Sequence, residues 1–231
     1  MARIKKSQLT KLEIIRVASR RFLENGYSHT TAKAICDELE MSTGNMTFYY
    51  PTKEHLLAEL VDMLCDFQRR MMEEEANEGF SSVMAICLEL AAMATMCQDD
   101  AIARDFYINA YQSPLCLEMI RKNDALRSRE IFAQYCAGWT DEHFLAAENL
   151  VSGIEYATLM SYSQELALEI RLAAAVQGIL GIYGVPEQLR KQKLDKLFAM
   201  DYRSLGKRVL SEFKAYVERI NEQAFYDLLK R

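Results

Sequence analysis

The stretch that decides the fold runs from Ser42 to Leu56 and reads STGNMTFYYPTKEHL. Serine is a preferred residue for capping the start of a helix, so Ser42 predicts a helix that begins at this point. Pro51 limits that helix to about two turns, because the residue before a proline avoids the α region. Thr52 then predicts the start of a long helix, which apolar spacing extends to about Glu75.

The side chains of the short helix divide into two faces. Met46 and Tyr50 lie four residues apart and are predicted to face the core with Ile35 and Leu39. The outward residues are small, polar or aromatic: Thr43, Asn45, Thr47, Phe48 and Tyr49. They suit a helix in the major groove of DNA, because asparagine can pair with adenine edges and threonine or phenylalanine can contact thymine methyl groups. Helical periodicity alone favours neither interpretation, because a polar helix that merely faces solvent would show the same pattern.

Almost every segment repeats its apolar residues at spacings of three and four, which predicts an all-α protein. The first helix is predicted over about residues 8–25, with Gly26 as its C-cap, and Thr30 or Thr31 can cap a second, short one. Seven more helices are predicted beyond Gly79, at 80–97, 100–112, 114–137, 141–162, 165–183, 187–199 and 202–229.

Composition and charge indicate two parts with different tasks. The 231 residues include only 9 glycines and 3 prolines, too few for the regular turns of a sheet protein. The formal charge is −5, yet residues 1–56 hold 9 Lys and Arg against 6 Asp and Glu, whereas residues 57–231 hold 19 against 27. A small basic head on a larger acidic body predicts that the two parts have different functions.

Residues 12–57 resemble the N-terminal DNA-binding domain of TetR-type (TetR/AcrR) transcriptional regulators. The resemblance lies in Ile15, Ala18, Phe22, Glu24-Asn25-Gly26-Tyr27, Thr30-Thr31, Ile35, Ser42-x-Gly44-Asn45 and Tyr49-Tyr50-Pro51-Thr52-Lys53-Glu54-x-Leu56. It implies a three-helix helix-turn-helix domain over residues 1–56 and a helical-bundle domain over 57–231 that binds an effector and dimerises. The chain is thus expected to be a ligand-released homodimeric repressor on a pseudo-palindromic operator in double-stranded DNA.

The resemblance also assigns DNA-contacting positions. The residues at the start of the second helix would lie near DNA phosphates, and the residues on the short third helix would contact the major groove. Tyr49 and Lys53 would bind the DNA backbone. The set is Thr30, Thr31, Lys33, Thr43, Gly44, Asn45, Thr47, Phe48, Tyr49 and Lys53. Two positions depart from the family pattern. Glu40 stands where glycine is usual, which implies either a strained left-handed glutamate or a reshaped turn. Thr47 stands where tyrosine is frequent, so a phosphate contact is expected to be missing there.

Methionine and aromatic residues of the acidic body lie on the segments that form the effector cavity in the resembling proteins. Such side chains line adaptable apolar pockets, which predicts a small apolar or amphipathic effector. For any single residue, an ordinary core position is the more frequent alternative. The candidate lining residues are Met63, Phe67, Met93, Met96, Phe106, Tyr107, Tyr111, Met119, Phe132, Tyr135, Trp139 and Tyr156.

Small residues recur on one face of each helix between 141 and 183. They permit close helix approach, either within one subunit or across a dimer that forms a four-helix bundle, and the resemblance favours the dimer. The candidate interface residues are Leu150, Gly153, Ala157, Ser161, Ala174, Gly178, Gly181 and Ile182. The final predicted helix, 202–229, extends beyond many relatives, and its packing partner is left open.

Other features indicate a cytoplasmic protein that is not an enzyme. The N-terminal region lacks the apolar segment of a secretion signal, and no apolar run is long enough to span a membrane. The six cysteines have no metal-ligand spacing, which favours buried thiols over a zinc site or redox sensing. His29, His55 and His143 are isolated, and no phosphate loop or nucleophile elbow occurs, so neither metal nor cofactor is expected. The alternative function is a helical small-molecule or lipid-binding protein without DNA affinity.

Overall fold

The computed structural model describes residues 2–76, 82–161 and 166–230, and eleven α-helices occupy most of these ranges. They are α1 (Ala2–Asn25), α2 (Ala32–Glu38), α3 (Thr43–Tyr49), α4 (Lys53–Ala76), α5 (Val83–Asp99), α6 (Ala101–Gln112), α7 (Pro114–Phe132), α8 (Asp141–Met160), α9 (Leu168–Ile182), α10 (Glu187–Ala199) and α11 (Tyr202–Lys230). The described residues contain no strand. The all-α prediction is therefore confirmed.

Helix boundaries agree with the sequence at most ends and differ at two. α1 begins at Ala2 instead of residue 8. α7 ends at Phe132 instead of 137. Beyond it the backbone N–H groups of Tyr135 and Trp139 bond to carbonyl oxygens three residues back, as in turns, and the Cys136 thiol donates to the Tyr183 carbonyl oxygen over 3.3 Å. The predicted boundaries at 80, 162 and 165 lie outside the described residues.

The first three helices form a small unit around its own core. Ile15 and Phe22 of α1, Ile35 of α2 and the predicted inward pair Met46 and Tyr50 are all buried. The long α4 leaves this unit and continues into the body, so the predicted division at residue 56 falls in the first turns of an uninterrupted helix. A tilt of α4 would therefore move residues in both the N-terminal unit and the body.

The body is a bundle in which α5 is the central helix. α5 buries thirteen residues and packs against α4, α8, α9 and α11. Five of the six cysteines are buried, and Cys65 is half-buried. Within the described residues, none of the helices combines the length and the apolar character that crossing a bilayer requires.

The packing partners of the last helix are α1, α4 and α5. In its first half, the rings of Phe213 and Tyr216 lie 5.5 and 5.4 Å from the ring of Phe67 on α4. In its second half, the Arg16 guanidinium of α1 lies 5.2 Å from the ring of Phe225. α11 thus ties the N-terminal unit to the bundle.

Candidate DNA interface and interior cavity

The short helix α3 is held firmly at both ends. The Ser42 hydroxyl accepts from the Asn45 backbone N–H over 3.1 Å, as an N-cap does, and the Met46 side chain anchors the inner face. In the turn before it, Glu40 has φ of +50°, so the first alternative, a left-handed glutamate, is the one observed. Such a conformation costs a non-glycine residue about 1–2 kcal/mol, which the surrounding turn must offset.

The outer face of α3 is open to solvent, with Phe48 as its most prominent side chain. The Phe48 side chain is 79% exposed, an unusual position for a phenylalanine with no functional partner. Tyr49 is half-buried, and its ring meets that of Phe48 edge to face at 5.1 Å. The remaining predicted groove residues, all exposed, are Thr43, Gly44, Asn45 and Thr47.

The predicted phosphate-contacting residues outside α3 have differing environments. Thr30 is buried and its hydroxyl donates to the Gly26 carbonyl oxygen over 2.8 Å, which suits a structural role and not a DNA contact. Thr31 is exposed, and its hydroxyl oxygen caps α2 by accepting from the Ala34 N–H. Lys33 is exposed and pairs with Asp37 at 2.9 Å across one helix turn.

Lys53 is bound to the protein itself. Its ammonium donates to the carbonyl oxygens of Tyr27 and Thr30 over 2.9 and 3.0 Å and lies 3.8 Å from the centre of the Tyr27 ring. Burial lowers the pKa of Lys53 below its ordinary value. In this structure Lys53 joins the start of α4 to the α1–α2 loop, a different role from the predicted hold on the DNA backbone.

Lys53→Met is accordingly expected to lower the free energy of unfolding by about 1–3 kcal/mol, because two buried carbonyl oxygens lose a charged donor. Lys33→Met is the matched control, and loss of its exposed ion pair is expected to cost less than about 0.5 kcal/mol. Chemical denaturation of the two variants measures both values. Equal stability of the two variants would show that Lys53 does not stabilise the fold by joining the start of α4 to the α1–α2 loop.

A cavity of about 600 Å³ lies inside the body, between α4, α5, α6, α7, α8 and the end of α9. Its volume is in the range of small-molecule sites in proteins. Of the twelve predicted lining residues, the cavity wall includes Met93, Tyr107, Tyr111 and Phe132. A second space of about 20 Å³, lined by Met96 and Phe106, is too small for a ligand of that kind.

The other predicted lining residues do not face the large cavity. Phe67 packs on α11, and Trp139 stacks near Phe144 and Tyr183 behind the cavity wall. Tyr156 accepts a hydrogen bond from Gln112 over 2.8 Å at the exposed surface. The residues absent from the wall are Met63, Phe67, Met96, Phe106, Met119, Tyr135, Trp139 and Tyr156. Of these eight residues, Phe67, Met96 and Phe106 are buried, so the core alternative describes their packing, and the other five are half-buried.

The cavity wall carries a polar network that sequence reasoning missed. The Glu148 carboxylate accepts from the Ser128 hydroxyl over 2.7 Å and from the Tyr183 hydroxyl. The Glu155 carboxylate accepts from the Tyr111 hydroxyl over 2.8 Å. A signal for these residues existed, because Glu148 and Glu155 stand in helical register with the buried Phe144 and Val151, on a face where charged side chains are rare.

Three further charged residues complete the interior wall, one on α5 and two on α7. Glu89 pairs with Arg127 of α7, which is buried. Asp124, one turn before Arg127, also lines the cavity. Burial raises the pKa of three interior carboxyls: that of Asp124 well above its ordinary value, that of Glu148, and that of Glu155 to about 8. Repulsion from neighbouring carboxylates adds to each of these shifts.

The outer surface of α8 and α9 exposes apolar side chains. Leu150 is 62% and Ile170 57% exposed, and Gly153, Ala157 and Ala174 on the same two helices are also exposed. Isolated exposed leucines are ordinary, but here each of two adjacent helices exposes a large apolar side chain together with small residues. The predicted interface residues Ser161, Gly181 and Ile182 are exposed or half-exposed too.

Gly178 is the interface candidate whose position favours the within-subunit alternative. A Cβ at Gly178 would lie 3.4 Å from Ile154 Cδ1 of the adjacent α8 in the same subunit. Its small size thus serves the packing of α9 on α8. A Cβ at Gly181 would likewise lie 3.1 Å from Arg190 Nη1 of α10 in the same subunit, whereas a Cβ at Gly153 would meet no atom within 4 Å.

The N-terminal unit and the bundle are joined by polar contacts as well as by α4. The Ser28 backbone N–H donates to Asp105 Oδ2 over 2.9 Å, and the Asn109 side-chain amide donates to the Ser28 hydroxyl over 3.2 Å. Asp105 and Asn109 lie on α6, which also supplies Tyr107 and Tyr111 to the cavity wall. Two helices, α4 and α6, therefore connect the cavity with the α1–α3 unit.

Comparison with known proteins bears on the α1–α3 unit. Residues 14–60 match the model of the tetR family of bacterial regulatory proteins. Similar solved structures include an ArpA-like gamma-butyrolactone receptor (19% identity, covering 90% of this chain and 99% of that chain, TM-score 0.44), GusR of Salmonella enterica (21%, 75% and 95%, 0.46) and the TetR family protein CprB of S. coelicolor A3(2) (20%, 88% and 99%, 0.43). A search of curated protein sequences finds no significant match. Residues 14–60, which hold α2, α3 and the adjoining parts of α1 and α4, thus match the tetR family of bacterial regulatory proteins in sequence.

Proposed function

We propose that this protein is a homodimeric transcriptional repressor that binds a pseudo-palindromic operator and is released by a small-molecule effector. The observation that carries the proposal is the outer face of α3, where Asn45, Thr47 and Phe48 project into solvent from a helix fixed by its cap and its buried Met46. A rigid helix with an exposed polar and aromatic face is what major-groove recognition requires. Such a protein would act in the cytoplasm.

Asn45 is the residue expected to select bases. Its amide can donate to and accept from one adenine edge, and loss of such a pair costs about 1–3 kcal/mol. Asn45→Ala is therefore expected to lower operator affinity about tenfold or more and to relax the preference at one base pair of each half-site. Gln223→Ala on α11 removes an exposed amide far along the sequence and serves as the control. Selection from random duplexes followed by footprinting supplies the operator and measures both effects.

Gly44 provides a second, independent test of the same face. No atom lies within 4 Å of a Cβ built on Gly44, so Gly44→Ala should keep the fold and stabilise the helix slightly. If α3 sits in the groove, the added methyl group meets DNA and weakens binding. Unchanged operator affinity in both Gly44→Ala and Asn45→Ala would show that α3 is not the recognition helix.

The homodimer is proposed from the apolar outer face of α8 and α9. Two copies that pair through these helices would bury Leu150 and Ile170 and form a four-helix bundle. Twofold symmetry would then present two α3 helices to half-sites about 34–36 Å apart, or a multiple of a helical turn. This spacing makes the operator a pseudo-palindrome.

The effector is proposed to bind in the cavity between α4 and α9 and to act through α4 and α6. A ligand against Tyr107 and Tyr111 would move α6, whose Asp105 holds the Ser28 backbone of the DNA-binding domain. Because the two recognition helices must match the spacing of the two half-sites, a small tilt weakens binding at both half-sites at once. Linkage requires that DNA weaken effector binding by the same factor, usually 5- to 150-fold, or about 1–3 kcal/mol.

A gel shift against genomic fragments tests the proposal as a whole. The expected result is retention of a small number of fragments that share a pseudo-palindrome. Retention of none at low salt would favour the alternative, a helical small-molecule or lipid-binding protein without DNA affinity.

A further inference from the structure

The inner wall of the cavity has more acidic than basic side chains. Four carboxyl groups, those of Glu89, Asp124, Glu148 and Glu155, line it, and Arg127 is the buried cation among the lining residues. The exposed rim of the cavity adds two carboxylates, Asp66 and Glu130, and two guanidinium groups, Arg69 and Arg129, so its charges balance. Arg69 pairs with Asp66 on the rim, and Arg129 pairs with Asp141. If every interior group were ionised, the wall would carry three more negative than positive charges.

The protein's own groups account for three of the four carboxyls. Glu89 pairs with Arg127, Glu148 receives the Ser128 and Tyr183 hydroxyls, and Glu155 receives the Tyr111 hydroxyl. Asp124, by contrast, has no hydrogen-bond donor and no ion-pair partner among the described residues, and it faces the cavity. A deeply placed carboxylate without a partner is costly unless something in the cavity neutralises it.

The rest of the wall is apolar and aromatic. Phe132 stacks on Tyr183 with ring centres 4.2 Å apart, and Tyr107, Tyr111, Met93 and Ile120 complete the surface. Aromatic faces attract cations, and their edges and the aliphatic side chains pack against an apolar body. The cavity therefore combines an anionic end with a surface that suits hydrocarbon.

We infer that the effector is an amphipathic organic cation, an amine, amidine or quaternary ammonium on an apolar body, whose charge lies between Asp124 and Glu155 in this cavity. The inference deepens the proposed effector role and rests on it for its biological meaning. The geometric basis is the cavity of about 600 Å³, the unpartnered Asp124 and the excess of carboxyls over guanidinium groups. An anionic ligand would meet Glu148, Glu155 and Asp124 with repulsion.

In the empty protein, protons take the place that the cation would occupy. Burial and neighbouring carboxylates raise the pKa of Glu155 to about 8, so Glu155 is mostly protonated at neutral pH, and the same causes raise the pKa of Asp124 well above its ordinary value. A bound cation stabilises their ionised form and expels those protons. The charged and titratable groups that face them from the surrounding helices are Cys65, Glu89, Tyr107, Tyr111, Arg127, Glu148 and Tyr183.

Three probes with one carbon frame test this inference directly. They are 4-tert-butylbenzylamine, the neutral 4-tert-butylbenzyl alcohol and the anionic 4-tert-butylbenzoate, each titrated into the full chain without DNA by isothermal calorimetry. We expect the amine to bind at least about tenfold more tightly than the alcohol and the benzoate to bind least. Equal binding of the three, preference for the benzoate, or no detectable binding of the amine would overturn the inference.

The pH dependence adds a second readout. The amine stays protonated between pH 6 and 8, whereas Glu155, whose pKa is about 8, keeps its proton over most of that range in the empty cavity. Binding of the amine should therefore tighten as the pH rises towards the pKa of Glu155, about 8, and release protons into the buffer, while binding of the alcohol should not change. Amine binding that weakens as the pH rises over this range would contradict the assignment.

Matched variants assign the effect to residues. Asp124→Asn and Glu155→Gln each keep the shape of the side chain and remove a charge, so each should weaken amine binding about tenfold and leave alcohol binding unchanged. Glu118→Gln changes an exposed carboxylate on the same helix as Asp124 and should leave both unchanged. A thermal melt of each variant checks the fold. Amine affinity that is unaltered in both cavity variants would refute the site.

The outcome is separable from that of the proposed function. Binding of the amine without any effect on operator affinity would leave the cation site in place and refute release by the effector. If the protein binds its operator but does not bind the amine, the cation site is refuted and the proposed DNA-binding function stands.

Discussion

Introducing a glutamate at both Leu150 and Ile170 is expected to convert the protein to monomers and to lower its operator affinity at least about a hundredfold. Both side chains are more than half exposed on the outer face of α8 and α9, so the isolated subunit loses little when they change. In the proposed dimer the same positions are buried, and each substitution places a charge in an apolar contact. A monomer binds one half-site and loses the roughly 10²- to 10⁴-fold gain from linked binding.

Sedimentation velocity at micromolar concentration measures the oligomeric state, and fluorescence anisotropy measures operator binding. Leu229→Glu is the matched control, because Leu229 is as exposed as Leu150, at 62%, but lies on α11. It should remain a dimer with ordinary operator affinity. A double variant that still sediments as a dimer, or a native protein that is itself a monomer, would exclude α8 and α9 as the interface. Gly178→Glu would be a poorer test, since Gly178 packs against Ile154 within the subunit.

The largest effect on stability is expected from Gly206→Leu. Gly206 lies where α11 crosses α5, and a Cβ there would be 3.0 Å from the Ala92 carbonyl oxygen and 3.0 Å from Thr95 Cβ. Neither atom can move without shifting the central helix of the bundle. Overpacking of this kind costs about 3 kcal/mol in the free energy of unfolding, which corresponds to a fall of about 10 °C in Tm for a chain of this size.

Ala215→Leu is the control for Gly206→Leu, because it adds a larger apolar side chain at an exposed position of the same helix. Its effect should stay within about 0.5 kcal/mol. Thermal and urea unfolding at one protein concentration compare the two variants, so that dimer formation contributes equally. A Gly206→Leu protein as stable as the native chain would mean that α11 does not approach α5 so closely.

Local sequence signals predicted the structure of the α1–α3 unit well. The Ser42 cap, the inward pair Met46 and Tyr50, and the stop at Pro51 are all properties of neighbouring residues, and each is present in the structure. The exposed set on α3 follows from the same helical period. Lys53 shows the limit of this reasoning, because the carbonyl oxygens that bind its ammonium lie more than twenty residues away in sequence.

The cavity wall could be predicted only in part. Tyr107 and Tyr111 line it as expected, whereas Phe67 and Trp139 pack elsewhere, since an aromatic side chain fills a core and a pocket wall equally well. The carboxyls Asp124 and Glu155 went unnoticed because a charged residue on a helix is usually solvated. Their role depends on neighbours from other helices.

By itself, then, the sequence determined most of the helix limits within the described residues, the caps and breaks between the helices, and the outward face of α3. These properties depend on contacts within a few residues, which periodicity and capping preferences record. Tertiary structure alone decided that α11 packs on α1 and α5, that Lys53 bonds inside the protein, and that four carboxyls surround one cavity. The reason is physical: burial, charge compensation and open volume are set by side chains that come together from distant parts of the chain.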